Sequence, residues 1–452
     1  MFKRLFLLFL LVLPLWLLAQ EMPFRVKSSS RYSVSTLAGK VVVDSTSYYQ
    51  LRLIQEIAYK KFGMGVDLDF LFDKNFHIKK SDWDNIGDIL GKIYYIRYGE
   101  PKDEYYGHFG GFPKRSVGNG LVMHNYSNMH FYPDQRNNGI LLGYNPEIPM
   151  EPKFEIFSSD IERAPVISLS GRFQPLPETS WKYTKDLELG LALFSDLNQK
   201  ANSKYIARKS QIDKPAKGSA DALGVVSVDY SLPLFNTDKV VFGNYAEMAH
   251  IFDHGTGFIL PGIYADFNFL KVNLEYRMHG DSFIPGYFDN FYENERFNFA
   301  EIVDESDPEL IDYQWQSKEQ SLKESPAAYG FYGKVEGKAA DRVKGMFAWQ
   351  NMYGDGANKG KSLWFSLWVD TRYKRLENVA FNYSKTRVNE LSLGKVAVPR
   401  AQMSGSFTLL ASEKYKTYII GKYSEKYKDK EGGINWLKDT KRSVSVGVKV
   451  AF

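Results

Sequence analysis

Charged side chains recur in this chain one residue away from apolar ones. Arg52 and Glu56 are interleaved with Leu51, Leu53 and Ile57. Asp67 and Asp69 sit between Val66, Leu68 and Phe70. Glu188 lies between Leu187 and Leu189, and Lys271, Glu275 and Arg277 alternate with Leu270, Val272, Leu274 and Tyr276. Arg342 and Lys344 flank Val343 in the same manner. On an extended chain successive side chains point to opposite faces, so each ion lies opposite a greasy surface. Such a row of charge can line a solute path and select by charge. It can equally be a hydrated interior whose ions pair with one another and block it. Both signs are present, so no preference for anions or cations follows.

Other chemistry has less support. His250 and His254 are four apart with Asp253 between them, which on a helix would make a metal-binding face. Here they fall in an outer connection, and no third ligand is placed near them. Asp67, Asp69, Asp73 and Asn75 lack the spacing and the distant Glu of a calcium loop. No metal or cofactor is expected. Gly-x-Ser-x-Gly occurs nowhere, and Ser404-Gly405-Ser406 runs straight into a strand-like stretch. The chain has seven His and no Cys, which excludes thiol nucleophiles, thiolate metal sites and disulfides. An enzyme is not expected. Asn125-Tyr126-Ser127 and Asn382-Tyr383-Ser384 match a glycosylation sequon, a short pattern that by itself carries little meaning. The net charge of +5 is spread among acids, so nucleic acid is not an expected partner.

The elements that hold these residues repeat one pattern. Alternation of period two runs from Leu51 to Tyr59, Met64 to Phe72, Leu187 to Leu193, Leu270 to Met278 and Leu363 to Val369. It ends on Val444, Val446, Val448, Val450 and Phe452, with small or polar residues between. Helical membrane spans are not expected past the N-terminus, because mean hydropathy is -0.36 and no long apolar run appears. Aromatics nevertheless make up 15%, a surplus with a natural place at the two rims of a membrane barrel. Met1-Phe2-Lys3-Arg4 followed by the apolar run Leu5 to Ala19 reads as a signal peptide over 1–19, cleaved before Gln20.

This combination resembles Gram-negative outer-membrane β-barrel proteins, whose chains typically end in a strand with a terminal Phe read by the barrel-assembly machinery. The resemblance implies one transmembrane antiparallel up-and-down barrel over 20–452, of roughly 18 to 20 strands of about ten residues, an even number. The connections alternate long and short backwards from Phe452, as expected of outer loops and periplasmic turns. Gly118 to Asn128, with Ile96-Arg97-Tyr98-Gly99 and Gly280 to Asp289, also resembles a group of uncharacterised bacterial outer-membrane proteins. Its glycines permit tight turns. Gly118, Asn119, Gly120, Asn125, Tyr126 and Asn128 are therefore candidates for a constriction folded into the lumen, the alternative being an ordinary outer loop. A porin-like channel for passive passage of small polar solutes is the expectation, with outer-membrane lipid as surroundings. A structural or surface-binding barrel with a blocked lumen is the rival. The oligomeric state stays open.

Overall fold

The computed structural model describes residues 32–43, 46–79, 83, 91–131, 137–162, 165–177, 179–181, 183–201, 222–304, 307–340, 342–355, 360–392, 396–398, 400–427 and 440–451. The expected signal peptide and Phe452 lie outside the described residues, as does most of the outer connection 197–220. Nearly every stretch of period-two alternation is a strand. In chain order they are β1 (Tyr32–Val43), β2 (Thr46–Tyr59), β3 (Phe62–Phe72), β4 (Ile93–Tyr98), β5 (Tyr105–Gly110), β6 (Gly139–Tyr144), β7 (Lys153–Ser158), β8 (Val166–Phe173), β9 (Glu188–Asp196), β10 (Leu223–Asn236) and β11 (Val241–Ile251). Then come β12 (Thr256–Asp266), β13 (Leu270–His279), β14 (Phe297–Asp304), β15 (Asp307–Ser317), β16 (Ala328–Ala339), β17 (Val343–Tyr353), β18 (Lys361–Tyr373), β19 (Leu376–Val388), β20 (Ala401–Ser412), β21 (Thr417–Tyr427) and β22 (Thr440–Ala451).

All but β14 and β15 belong to one 20-stranded sheet, each strand antiparallel to its neighbours. The sheet closes because β22 pairs back onto β1, with Val446 opposite Ala38 and Val448 opposite Thr36. Closure leaves no row of unpaired N–H and C=O groups, which lipid could not satisfy. The pair β14–β15 stands apart as a hairpin in the connection between β13 and β16. Among the described residues no helix is long and apolar enough to cross a membrane. One turn of helix, α1 (Tyr292–Glu295), precedes β14.

The two faces of the wall differ as the alternation requires. On the last strand Val446 is 53% exposed while Ser445 is 7% exposed. On β13 Leu274 is 50% exposed and its neighbour Glu275 only 5%. The greasy side thus faces out around the circumference, the reverse of a water-soluble sandwich. Exposed aromatics gather where strands meet the short turns: Tyr59, Tyr98, Tyr105, Phe235, Phe269 and Tyr373. Tyr49, Phe252, Tyr329 and Tyr353 stand near the opposite rim. These are the interfacial belts expected of a membrane barrel.

Strand ends sort the connections. Turns at 60–61, 237–240, 267–269, 374–375 and 413–416, with Ala340 and Arg342 between β16 and β17, lie on the side that holds the start of β1 and the end of β22. The strand ends that lead into the connections after β3, β5, β9, β13, β19 and β21 lie on the other. One expectation needs correction. β4, β5, β6 and β7 have six residues each, not about ten. Their outer ends leave the regular ladder, and single bonds such as Gly111 N–H to Tyr94 O (3.1 Å) and Asp67 N–H to Lys92 O (2.7 Å) carry the pairing on.

Candidate functional site

Two outer connections turn back into the barrel. In residues 111–131, Gly118 and Gly120 adopt φ of 60° and 87°, a region that side chains disfavour. The turn brings two backbone donors to the Glu247 carboxylate on β11, Asn119 N–H at 2.8 Å and Leu121 N–H at 3.4 Å. Arg115 and Tyr126 pair across the loop, and Met123 pairs in parallel with Phe288 of the second connection. Gly286 N–H donates to Leu121 O (2.8 Å), Phe288 N–H to Val122 O (3.0 Å) and His124 N–H to Phe288 O (3.0 Å). The two segments thus act as one unit with a miniature sheet of its own.

That unit has an apolar underside. Leu121, Val122, Met123 and Tyr126 join Phe283, Tyr287, Phe288 and Tyr292 in one buried cluster. The cluster rests on inward residues of β7 to β12, including Phe157, Phe194, Val225, Ala249, Ile251 and Ile259. One sector of the barrel is therefore filled like a protein core. The facing sector, from β18 to β22, presents Ser366, Asn382, Ser406, Lys422 and Lys449, all only half-buried.

Ion pairs hold the unit on two sides. Arg296, just past α1, reaches Asp196 at the end of β9, which also accepts the Tyr292 hydroxyl at 2.6 Å. Tyr126 donates to Glu293. Opposite, Arg387 and Arg400 come from β19 and the connection after it, and both grip Asp289, at 2.7 and 2.8 Å. Burial works to raise the Asp289 carboxyl, but these two guanidiniums and Lys318 outweigh it and hold it well below the usual carboxylate range. Lys318 is itself pushed well below the usual lysine value by burial and Arg387. It donates to Tyr287 O at 2.7 Å and pairs with Glu295 at 3.3 Å.

The charged residues singled out in the sequence mostly point into the barrel and mostly find partners. Arg52 forks onto Asp67, with Nε to Oδ1 at 2.8 Å. Asp69 accepts from Gln50 at 2.9 Å. Glu56 accepts from Ser33 at 3.4 Å. Glu188 pairs with Lys153 at 3.0 Å and sits 3.6 Å from Arg172. Glu275 receives the Tyr245 hydroxyl (2.7 Å) and Arg277 Nε (2.6 Å), and Arg277 also reaches Gln350 (2.8 Å). Lys271 and Lys344 share the inward register but stand exposed near the short-turn rim, Lys344 with its ammonium 5.5 Å from the Trp368 ring. Arg342 is exposed and lies in the turn just before β17, its carbonyl accepting Asp370 N–H of β18 at 2.6 Å.

The constriction candidates have distinct placements. Gly118, Asn119 and Gly120 form the tip at Glu247. Asn125 takes a positive φ of 53°, and its N–H donates to Ser116. Tyr126 is buried under the unit, and Asn128 is a peg whose amide bonds Phe112 N–H (2.7 Å) and Ser159 O (2.9 Å). His250, next to last in β11, bonds Thr256 at 2.9 Å, and His254 faces Glu319 at 3.2 Å, so the two do not converge. No group of three or more metal-type ligands occurs among the described residues. The sequence reading missed Asp196, Asp289, Glu293, Arg296, Arg387 and Arg400. For Asp289, Glu293 and Arg296 the signal was an unusual density of acids and aromatics in the stretch 280–327; Asp196, Arg387 and Arg400 had no such signal.

No family model matches the chain, and no curated protein matches it. Among solved structures it aligns with OccAB2 of Acinetobacter baumannii at 8% identity, over 93% of this chain and 96% of that one, with a TM-score of 0.34. A BenF-like porin of Pseudomonas fluorescens Pf-5 aligns at 9% identity over 94% and 99%, with a TM-score of 0.34. The siderophore receptor PirA of Acinetobacter baumannii aligns at 10% identity over 94% and 81%, with a TM-score of 0.37. Those scores add nothing to the closed strand order and the outward apolar band, which by themselves make this chain a 20-stranded β-barrel of the outer-membrane type.

Proposed function

We propose that the protein is a passive outer-membrane channel for small polar solutes, narrowed by the infolded unit of 111–131 and 280–296. One observation carries the reading: the interior is divided. The apolar cluster fills the side of β7 to β12, while on β18 to β22 the inward Ser366, Asn382, Ser406, Lys422 and Lys449 are left half-buried. A barrel built only as a rigid plugged pillar has no need of a polar, incompletely covered sector. Arg52, Glu56, Asp67, Asp69, Glu188, Lys271, Glu275, Arg277 and Lys344 then keep the wall hydrated, the paired ones acting mainly to hold geometry. Export through the signal peptide, and assembly through the last strand by the barrel machinery, belong to the same proposal.

Single-channel recording in planar bilayers tests it. The wild-type protein should conduct. Replacing residues 118–128 by a short Gly/Ser bridge should raise conductance and admit larger solutes, since a loop contributes few ladder bonds to the wall. Shortening 197–220 should change neither. Equal conductance of wild type and the 118–128 variant, with both folded, removes the constriction. The Arg387 and Arg400 grip on Asp289 across the outer mouth favours the rival reading, a blocked surface-binding barrel, and silence in all three proteins would select it.

A further inference from the structure

One lysine of the wall stands in the greasy register. On β19 the outward side chains are Val379, Phe381, Tyr383 and Lys385, opposite the outward Val369, Leu367, Phe365 and Leu363 of β18. On β20 the partners of Tyr383 and Lys385 are Met403 and Ala401. Outward residues such as Val446 and Leu274 stand open, yet Lys385 is 1% exposed, Ala401 0% and Met403 6%. Their cover comes from the connection after β19. Lys385 Nζ donates to Ser392 O at 2.5 Å, and the Tyr383 hydroxyl donates to Val396 O at 3.0 Å. Ala397 and Val398 pack with Tyr383 on Ala401 and Met403. Ser392 and Val396 to Val398 therefore lie on the lipid side of the wall. Irregular backbone there needs donors for its carbonyls, because lipid supplies none. The lysine and the tyrosine are those donors.

The same connection ends inside the barrel. Ala401 N–H donates to Val398 O at 3.1 Å, closing a tight turn whose third residue is Arg400. Arg400 has φ of 61°, a left-handed value that such a turn normally gives to Gly or Asn. Arg387 on the facing strand has φ of 51°. Arg400 Nε donates to Thr386 O at 3.0 Å, and both guanidiniums go on to Asp289. One residue is thus the corner at which the chain crosses the rim and the cation that grips the infolded unit. Side chains in left-handed backbone persist where the surroundings hold them. What holds this corner on its outer side is the seat on Lys385 and Tyr383.

We propose that Ser392 and Val396 to Val398 form an external strap, and that Lys385 and Tyr383 are positioning residues that set the Arg400 clamp from the lipid side of the wall. Lifting the strap then loosens Asp289 and the infolded unit with it. The coupling stands without the channel reading. Hydrogen exchange of the full-length protein in phosphatidylcholine vesicles tests it, read by mass spectrometry over 286–296 and 389–398. Lys385→Met removes one bond of the seat on the face turned away from the infolded unit. Exchange should quicken about tenfold in both segments, the effect of losing roughly 1.4 kcal/mol against local opening. Arg400→Gly suits the turn and removes the guanidinium, so 286–296 should quicken while 389–398 stays protected. Phe381→Leu, in the same outward register below the strap, should change neither. Should Lys385→Met lose heat-modifiable migration, Tyr383→Phe removes the other bond of the seat and carries the same expectation. Three results each overturn the strap: quickening confined to 389–398 in the seat variant, wild-type protection of 286–296 in Arg400→Gly, or quickening of both segments in Phe381→Leu. Coupled quickening in a protein that does not conduct keeps the strap and sinks the channel.

Discussion

Single buried carboxylates decide how the infolded unit is held. Asp289 is gripped by Arg387 and Arg400, and its folded pKa is below the ordinary value. A depressed carboxylate contributes stability that is present above the unfolded pKa of about 3.9 and is lost as pH falls through the lower folded value. Mild acid near pH 5 should therefore leave the grip intact. Asp289→Asn at neutral pH should cost about 3–5 kcal/mol locally, because it leaves buried guanidiniums short of an acid. In reconstituted vesicles, wild type should resist proteinase K within 280–327 at pH 7 and pH 5, and the variant should be cut at both. Cleavage of wild type at pH 5 would mean that Asp289 is not the clamp. Glu247 acts at the other end, as acceptor for Asn119 and Leu121 N–H. Glu247→Ala should cost about 1–3 kcal/mol by orphaning these donors. Hydrogen exchange at 117–124 should speed up while β10 and β12 stay protected; unchanged exchange at the tip would remove Glu247 from this role.

At the scale of the strand, the alternation on β13 fixes what each position can tolerate. Leu274 faces out and Glu275 in, on a ladder that pairs with β12 on one side and β16 on the other. Cysteine at Val272 should react only with a lipid-soluble label, and cysteine at Asn273 with a water-soluble one. The reverse pattern would turn the barrel inside out, into a soluble sandwich. Leu274→Arg should destabilise by about 2–4 kcal/mol if it lies near the bilayer midplane, while Asn273→Arg should be tolerated. Urea refolding into lipid vesicles compares the two. Short β4 to β7 are the exception to this regularity, since their outer ends hand the chain to the segments that turn inward.

The whole molecule depends on its seam. β22 and β1 are at opposite ends of the chain, and their pairing turns a sheet with two open edges into a closed wall. Deleting Phe452, or replacing it with Asp, should leave the chain unassembled in the periplasm, because an open edge in lipid strands unsatisfied backbone groups. Membrane fractionation and heat-modifiable migration read the outcome. Normal levels of heat-modifiable protein in the outer membrane would show that closure does not depend on the terminal residue.

By itself the sequence determined the barrel, its outward and inward faces, and which side carries the long connections. It could do so because a strand has period two, so each Leu274 or Glu275 announces its face within a few residues. It did not determine which ions meet. Asp196 and Arg296 are 100 residues apart and Tyr126 and Glu293 are 167 apart, and no local spacing encodes such pairs. Nor could it show that Gly118 to Asn128 needs Phe288 to form its inner sheet, or that Arg342 falls in a turn while Lys344 stays in register. Irregular backbone has no period to read. Only tertiary contact, with the apolar cluster on β7 to β12 and the guanidiniums of β19 and its outer connection, decided where that backbone lies inside the wall.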